Sequence, residues 1–282
     1  MATRLIDAGH ELCVWNRTRD RTAPLAARGA RVAGSPREAA EGAALVITSL
    51  ANDEAVRDVT LGRDGLAAGL ARGAAHVSTS TISVDLAREL DAAHGDREQD
   101  FVSATVLGRP PAAAAGKLYV MVAGAPATVD KAKPVLEQLG QRVFAVGEQP
   151  WQSNLVKLSA NFMIFSTIEQ FAEIFALNEK AGIAPATVFE VLSNSFCSAP
   201  VHVNYGKMIL DAHFSAPGGP MKLGAKDNEL LLKAGAAFGA PLPMASLLRD
   251  RFIASFARGD GDLDFCALSN RAREDAGLAA KT

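Results

Sequence analysis

The feature that most constrains this chain is a change of hydrophobic period near residue 148. Before it, short apolar runs alternate with amphipathic helical segments. After it, the period is helical throughout. The runs Glu11–Trp15, Arg31–Ala33, Ala44–Leu50, Ala75–Ser78, Phe101–Val106, Leu118–Ala123 and Arg142–Val146 read as strands. Met1–Ala8, Arg21–Arg28, Asp53–Val59, Ser83–Ala93 and Ala127–Leu139 read as helices. A further helix opens at Ser35-Pro36, with Ser35 as N-cap and Pro36 in the first turn. Strands alternating with helices of about ten residues imply βαβ units and a mostly parallel sheet.

Beyond that point no proline interrupts Gln152–Ala181, and Leu155, Leu158, Phe162, Phe165, Ile168, Phe171 and Ile174 keep one face apolar. Pro185–Ser193, Met221–Phe238, Pro243–Ala257 and Asp264–Ala276 continue the helical pattern. The expectation is an α/β domain over residues 1–148, a Rossmann-like doubly wound parallel sheet, followed by an all-α domain over 149–282. The long helix from Gln152 is expected to form the hinge and wall of a cleft.

A net charge of -2 without a basic stripe argues against nucleic acid or an anionic membrane as partner. No apolar run reaches the roughly 18 residues of a membrane span. The opening MATRLIDAGHELC carries charges where a secretory signal needs an apolar core. Cys13, Cys197 and Cys266 share no metal-ligand spacing and read as reduced thiols of a cytoplasmic protein, with no metal site expected.

A doubly wound domain opens with a strand and a G-x-G-x-x-G turn whose backbone N–H groups hold a pyrophosphate. No such loop precedes a helix anywhere here. Either the start lies upstream, by about ten to twenty residues for a strand and turn, or the chain has abandoned this site. The intact downstream pattern favours the first.

Several residues stand where chemistry would be expected. Asn16-Arg17-Thr18 ends the strand that reaches the adenine ribose in dinucleotide folds, where an arginine accommodates a 2′-phosphate. The same tripeptide also serves as an ordinary polar turn. Leu50-Ala51 and Thr81 follow buried strands, at the edge where open α/β sheets bind ligands. Asp53 and Ser83 read as helix caps. Asn154, Lys157 and Asn161 share a helix face among Leu155, Val156, Leu158 and Phe162. A lysine in that setting either snorkels to solvent or, if buried, loses proton affinity and serves as a general acid. Lys226-Asp227 alone is indistinguishable from surface decoration.

Together these segments resemble the β-hydroxyacid dehydrogenase family, which includes 3-hydroxyisobutyrate dehydrogenases and succinic semialdehyde reductases. The matching stretches are MATRLIDAGHELCVWNRT, ALVITSLANDEAV, HVSTSTIS, FVSATVLGRPPAAAAGKLYVMVAG, VGEQPWQSNLVKLSANF and LGAKDNELLLKAGAAFGAPLP, in family order. The resemblance implies hydride transfer between NADP(H), with NAD also possible, and a small hydroxyacid, semialdehyde or keto acid. It implies Lys157 as catalytic acid/base with Asn161 as its polar partner. Asn16, Arg17 and Thr18 would favour NADP, Leu50, Ala51 and Thr81 would line the nicotinamide half, and Lys226 would close over the cofactor. It also implies a homodimer or homotetramer. The family's substrate loop usually reads D-A-P-V-S-G-G; here it is Ser103–Arg109, so Leu107, Gly108 and Arg109 stand at the substrate position without the usual hydroxyl. Two alternatives are a non-catalytic oligomerising remnant that has lost its cofactor, and an imine reductase, against which Lys157 argues.

Overall fold

The computed structural model describes residues 1–215 and 218–281. It divides into two units, Met1–Lys157 and Leu158–Thr282. This division and the one at residue 148 differ by the opening turns of a single helix, Pro150–Lys180.

The first unit contains β1 (Cys13–Val14), β2 (Arg31–Val32), β3 (Leu45–Thr48), β4 (Ala75–Ser78), β5 (Asp100–Leu107), β6 (Leu118–Gly124) and β7 (Gly140–Gly147). They form a parallel β1–β2 pair and a five-stranded sheet in the order β3-β4-β5-β6-β7. The expected parallel sheet carries one correction: β5 and β6 are antiparallel, while β3–β4, β4–β5 and β6–β7 are parallel. A parallel crossover needs roughly a dozen residues or more. The 108–117 connection is too short for one, so its Pro110–Ala114 helix turns the chain straight back. Among the described residues β1 pairs only with β2 and β3 only with β4, which divides the doubly wound arrangement at that point.

Strand alternation gives the main sheet two unlike faces. On one, Val77, Val102, Ala104, Val120 and Val122 pack against Leu136 and Leu139 of the Pro126–Leu139 helix and Leu5 of the Ala2–Asp7 helix. The other presents Thr48, His76, Ser78, Ser103 and Thr105, all buried. Buried polar groups are costly unless hydrogen-bonded. Thr48 meets that demand through His76, Ser103 through Asn154 and Thr105 through Ser153.

Local signals set the helix starts. Ser35 Oγ accepts the Glu38 N–H at 3.1 Å, as its N-cap pattern predicts. Ser83 caps Val84–Gly95 through the Leu86 N–H, again as expected. At the Asp53–Leu61 helix the cap is Asn52, not Asp53. Asp53 Oδ1 instead accepts the Ser83 N–H at 3.0 Å and ties two strand-to-helix turns together.

In the second unit, Pro185–Ser193, Pro200–Leu210, Met221–Ala237, Pro243–Ala257 and Ser269–Asp275 join the rest of the long helix. Phe165, Ile168, Phe171, Phe175, Phe214, Met221, Leu248 and Phe252 form its core. Phe165 and Phe252 meet edge to face with ring centroids 5.4 Å apart, the preferred aromatic geometry. The helix expected over Asp264–Ala276 divides into a 3-10 turn, Phe265–Leu268, and Ser269–Asp275. Asp264 caps the turn through the Cys266 N–H.

Candidate active site

In the first unit the carboxyl ends of β3, β4 and β5 lie along one edge of the sheet, because these strands are parallel. That edge carries Leu50 and Ala51 after β3, Thr81 after β4, and Leu107, Gly108 and Arg109 at and after the end of β5. The Leu50 N–H donates to Ser80 Oγ at 2.8 Å, so the loops after β3 and β4 are tied together. Gly108 has φ +139°, and a Cβ there would stand 2.7 Å from Leu118 Cδ2, so its glycine is a requirement of the turn. Arg109 is the residue before the Pro110–Ala114 helix.

Asn16, Arg17 and Thr18 end the separate β1 strand, with Arg17 and Thr18 exposed. Asn16 Oδ1 accepts the Thr18 N–H at 2.9 Å, an Asx turn that fixes the backbone of the tripeptide.

The long helix begins on the polar face of the sheet. Ser153 Oγ donates to the Met121 carbonyl at 2.7 Å and accepts the Thr105 N–H at 3.1 Å. Thr105 Oγ1 bonds the Ser153 carbonyl at 3.0 Å. Asn154 Oδ1 accepts the Ile82 N–H at 2.9 Å, and its Nδ2 donates to Ser103 Oγ at 3.1 Å. The Arg88 guanidinium lies 5.0 Å from the Trp151 ring centroid, a cation–π contact at the same turn. Asn154 is thus a fully buried clamp. It immobilises the first turn beside Thr81 and places the half-buried Lys157 one turn further along.

In the second unit Asn161 Nδ2 donates to Asp227 Oδ2 at 2.6 Å. Lys226 Nζ stands 2.9 Å from Asp227 Oδ1, close enough for an ion pair though off the line of a good hydrogen bond. Asp227 is only 8% exposed. It joins two residues that the sequence marks separately, Asn161 and Lys226. Sequence reasoning missed both Asn154 as a clamp and Asp227 as a connector. Helical spacing groups Asn154 with Lys157 but cannot tell a buried amide from one facing substrate. Neighbouring opposite charges look alike whether exposed or buried.

The donor chemistry fits a dinucleotide at two points: the Arg17 turn suits an anionic ribose phosphate, and the Leu50–Thr81 edge suits a ring rather than a phosphate. No glycine-rich diphosphate loop occurs in residues 1–282. Among the described residues no group of three His, Cys, Asp or Glu side chains is arranged to hold a metal ion, and no helix is long and apolar enough to cross a membrane.

Residues 1–147 match the NAD-binding domain of 6-phosphogluconate dehydrogenase. Residues 152–271 match the NAD-binding region of NADP-dependent 3-hydroxyisobutyrate dehydrogenase. An oxidoreductase of Bacillus subtilis, YfjR, is 42% identical over 95% of this chain and 93% of its own length. The chloroplastic glyoxylate/succinic semialdehyde reductase 2 of Arabidopsis thaliana is 30% identical over 95% of this chain and 74% of its own. The structure of Mycobacterium tuberculosis 3-hydroxyisobutyrate dehydrogenase with L-serine superposes with a TM-score of 0.84 at 30% identity, covering 96% of this chain and 94% of that one. The chain, an α/β dinucleotide-binding unit followed by helices, therefore belongs to the β-hydroxyacid dehydrogenase family of NAD(P)-binding oxidoreductases.

Proposed function

We propose that this protein is an NADP-dependent dehydrogenase that interconverts a small β-hydroxyacid with its semialdehyde or keto acid, using Lys157 as general acid and base. NAD is the second candidate cofactor. The observation that carries the reading is the position of Lys157. It lies one helical turn beyond a clamp of buried polar bonds and four residues before an asparagine held by a buried carboxylate.

The nicotinamide, when bound, supplies or accepts the hydride at the substrate carbon. The carbonyl oxygen then needs a proton, which the Lys157 ammonium delivers; in the oxidising direction its neutral amine takes that proton back. Asn161 orients the substrate oxygen, and Asp227 fixes the rotation of its carboxamide. Arg109 offers a fork for a substrate carboxylate, while Leu107 and Gly108 shape an apolar wall next to it. Asn16, Arg17 and Thr18 would hold the 2′-phosphate, Leu50, Ala51 and Thr81 the nicotinamide half, and Lys226 the cofactor from the helical unit. A cytoplasmic homodimer or homotetramer completes the proposal. It is supported by exposed apolar side chains such as Phe196 at 81%, Leu177 at 69% and Val191 at 63%.

The test is an assay with NADPH and NADH against small aldehydes, in wild type and Lys157→Ala. Turnover that depends on Lys157 is expected, and undiminished turnover in the variant overturns its role. The same exposed apolar side chains suit a second reading, an oligomerising protein that does not bind cofactor. Saturable quenching in an NADPH fluorescence titration is expected under the first reading and absent under the second.

A further inference from the structure

Behind the sheet's carboxyl edge lies a chain of buried hydrogen bonds that the proposed chemistry does not use. Thr48 Oγ1 is 2.9 Å from His76 Nε2, His76 Nδ1 is 3.0 Å from His94 Nε2, and His94 Nδ1 is 2.8 Å from Gln99 Oε1. Gln99 Nε2 then donates to the Ala67 and Leu70 carbonyls at 2.9 and 2.7 Å. Both imidazoles are 0% exposed, and Phe101 stacks on His94 with ring centroids 5.4 Å apart.

This chain has one consistent assignment of hydrogens. Gln99 uses both amide hydrogens on carbonyls, so its oxygen must accept from His94 Nδ1–H. His94 Nε2 is then an acceptor and must receive His76 Nδ1–H. His76 Nε2 in turn accepts the Thr48 hydroxyl. Every donor has an acceptor only while both rings are neutral. A proton entering anywhere along the chain ends on the Thr48 side and forces that hydroxyl from donor to acceptor. Thr48 ends β3, and its carbonyl receives both the N–H and the hydroxyl of Thr79, each at 2.8 Å. These bonds tie the Thr48 end of the chain to the loops that carry Leu50, Ala51 and Thr81.

We propose that the Thr48–His76–His94–Gln99 relay is an acid-sensitive lock on the carboxyl edge of the first unit, closed when both histidines are neutral and opened by one proton. Among the described residues no carboxylate is bonded to either ring. On the Val84–Gly95 helix the neighbouring ionisable groups are Asp91 and, past its end, Arg97. Beside β5 they are Asp100, paired with Lys131, and Glu98, paired with Arg72. β3 and the Leu66–Gly69 helix carry none. Burial holds His76 well below the usual imidazole range, with repulsion from His94 adding to it; burial likewise lowers His94, against its Gln99 bond. Because both folded values lie below the unfolded one, the relay's contribution to folding is complete above about pH 6.5 and is lost as pH falls from there toward the folded values.

The experiment is imidazole ¹⁵N NMR of the full chain from pH 7.5 to 5, with denaturant unfolding of wild type and His94→Gln at both ends of that range. The two rings should be neutral Nδ1–H tautomers that do not titrate while the protein is folded. Below pH 6.5 the wild-type folding constant should fall up to about tenfold per pH unit for each histidine, and the variant should lose one of these two steps. An Nε2–H tautomer, titration near 6.5 in the folded state, or equal pH slopes in the two proteins would overturn the proposal. If the variant does not fold, the wild-type tautomers decide.

Discussion

Asn154 and Lys157 sit one turn apart on the same helix, yet their surroundings differ in kind. Both ends of the Asn154 amide are matched inside the first unit, and it is wholly buried. Lys157 is half-buried, and it is the residue proposed to transfer the proton. Polar residues on one helix face thus divide the work: the one bonded to protein through both its amide oxygen and its amide nitrogen holds the helix, and the one beyond it is placed by that hold. This contrast makes different predictions for stability and for turnover.

Replacing Lys157 by alanine should lower kcat by at least about a hundredfold, the usual scale for a general acid, with the melting temperature nearly unchanged. Turnover and a thermal melt of the same preparation check both halves. Asn154→Leu should do the reverse. It orphans the Ile82 N–H and the Ser103 hydroxyl and should cost about 2 kcal/mol in denaturant unfolding. Activity per folded molecule should fall far less than in the lysine variant. If Asn154→Leu leaves stability intact and abolishes turnover, the division between clamp and acid is wrong.

A third substitution sharpens the comparison further along the helix. Asp227→Asn replaces the charged acceptor of the Asn161 amide and should lower kcat/KM about tenfold, the rate equivalent of weakening one charge-assisted hydrogen bond. Its loss of stability should be smaller than that of Asn154→Leu. The least effect is expected at a purely local element: Ser35→Ala removes a helix cap and should cost about 1 kcal/mol without altering steady-state kinetics. A kinetic defect there would mean that the Pro36–Ala40 helix is more closely coupled to the site than its capping role requires.

The fold was legible wherever period and punctuation agreed. Ala75–Ser78, Pro185–Ser193 and Pro243–Ala257 have the expected bounds because apolar runs or N1 prolines define them. The Pro200–Leu210 helix was not foreseen: its apolar residues are interrupted by His202, Asn204 and Lys207, which blunts the period. The antiparallel β5–β6 junction depends on connection length rather than on the strands themselves, whose residues suit either direction. Leu50, Thr81 and Leu107 stand at or just beyond strand ends, where the sequence pattern places them. The Ser153–Asn154 clamp and the Asn161–Asp227 bond were hidden, because such pairings join positions distant in sequence and no local pattern encodes them.

The most direct test of the central claim is chemical rescue of Lys157→Ala by small primary amines, followed as amine-dependent NADPH oxidation with a saturating aldehyde. If a Lys157 ammonium delivers the proton, turnover is lost in the variant and returns in proportion to the protonated amine added. Wild-type turnover without amine, or no response to any amine in a variant that still binds NADPH, would contradict it.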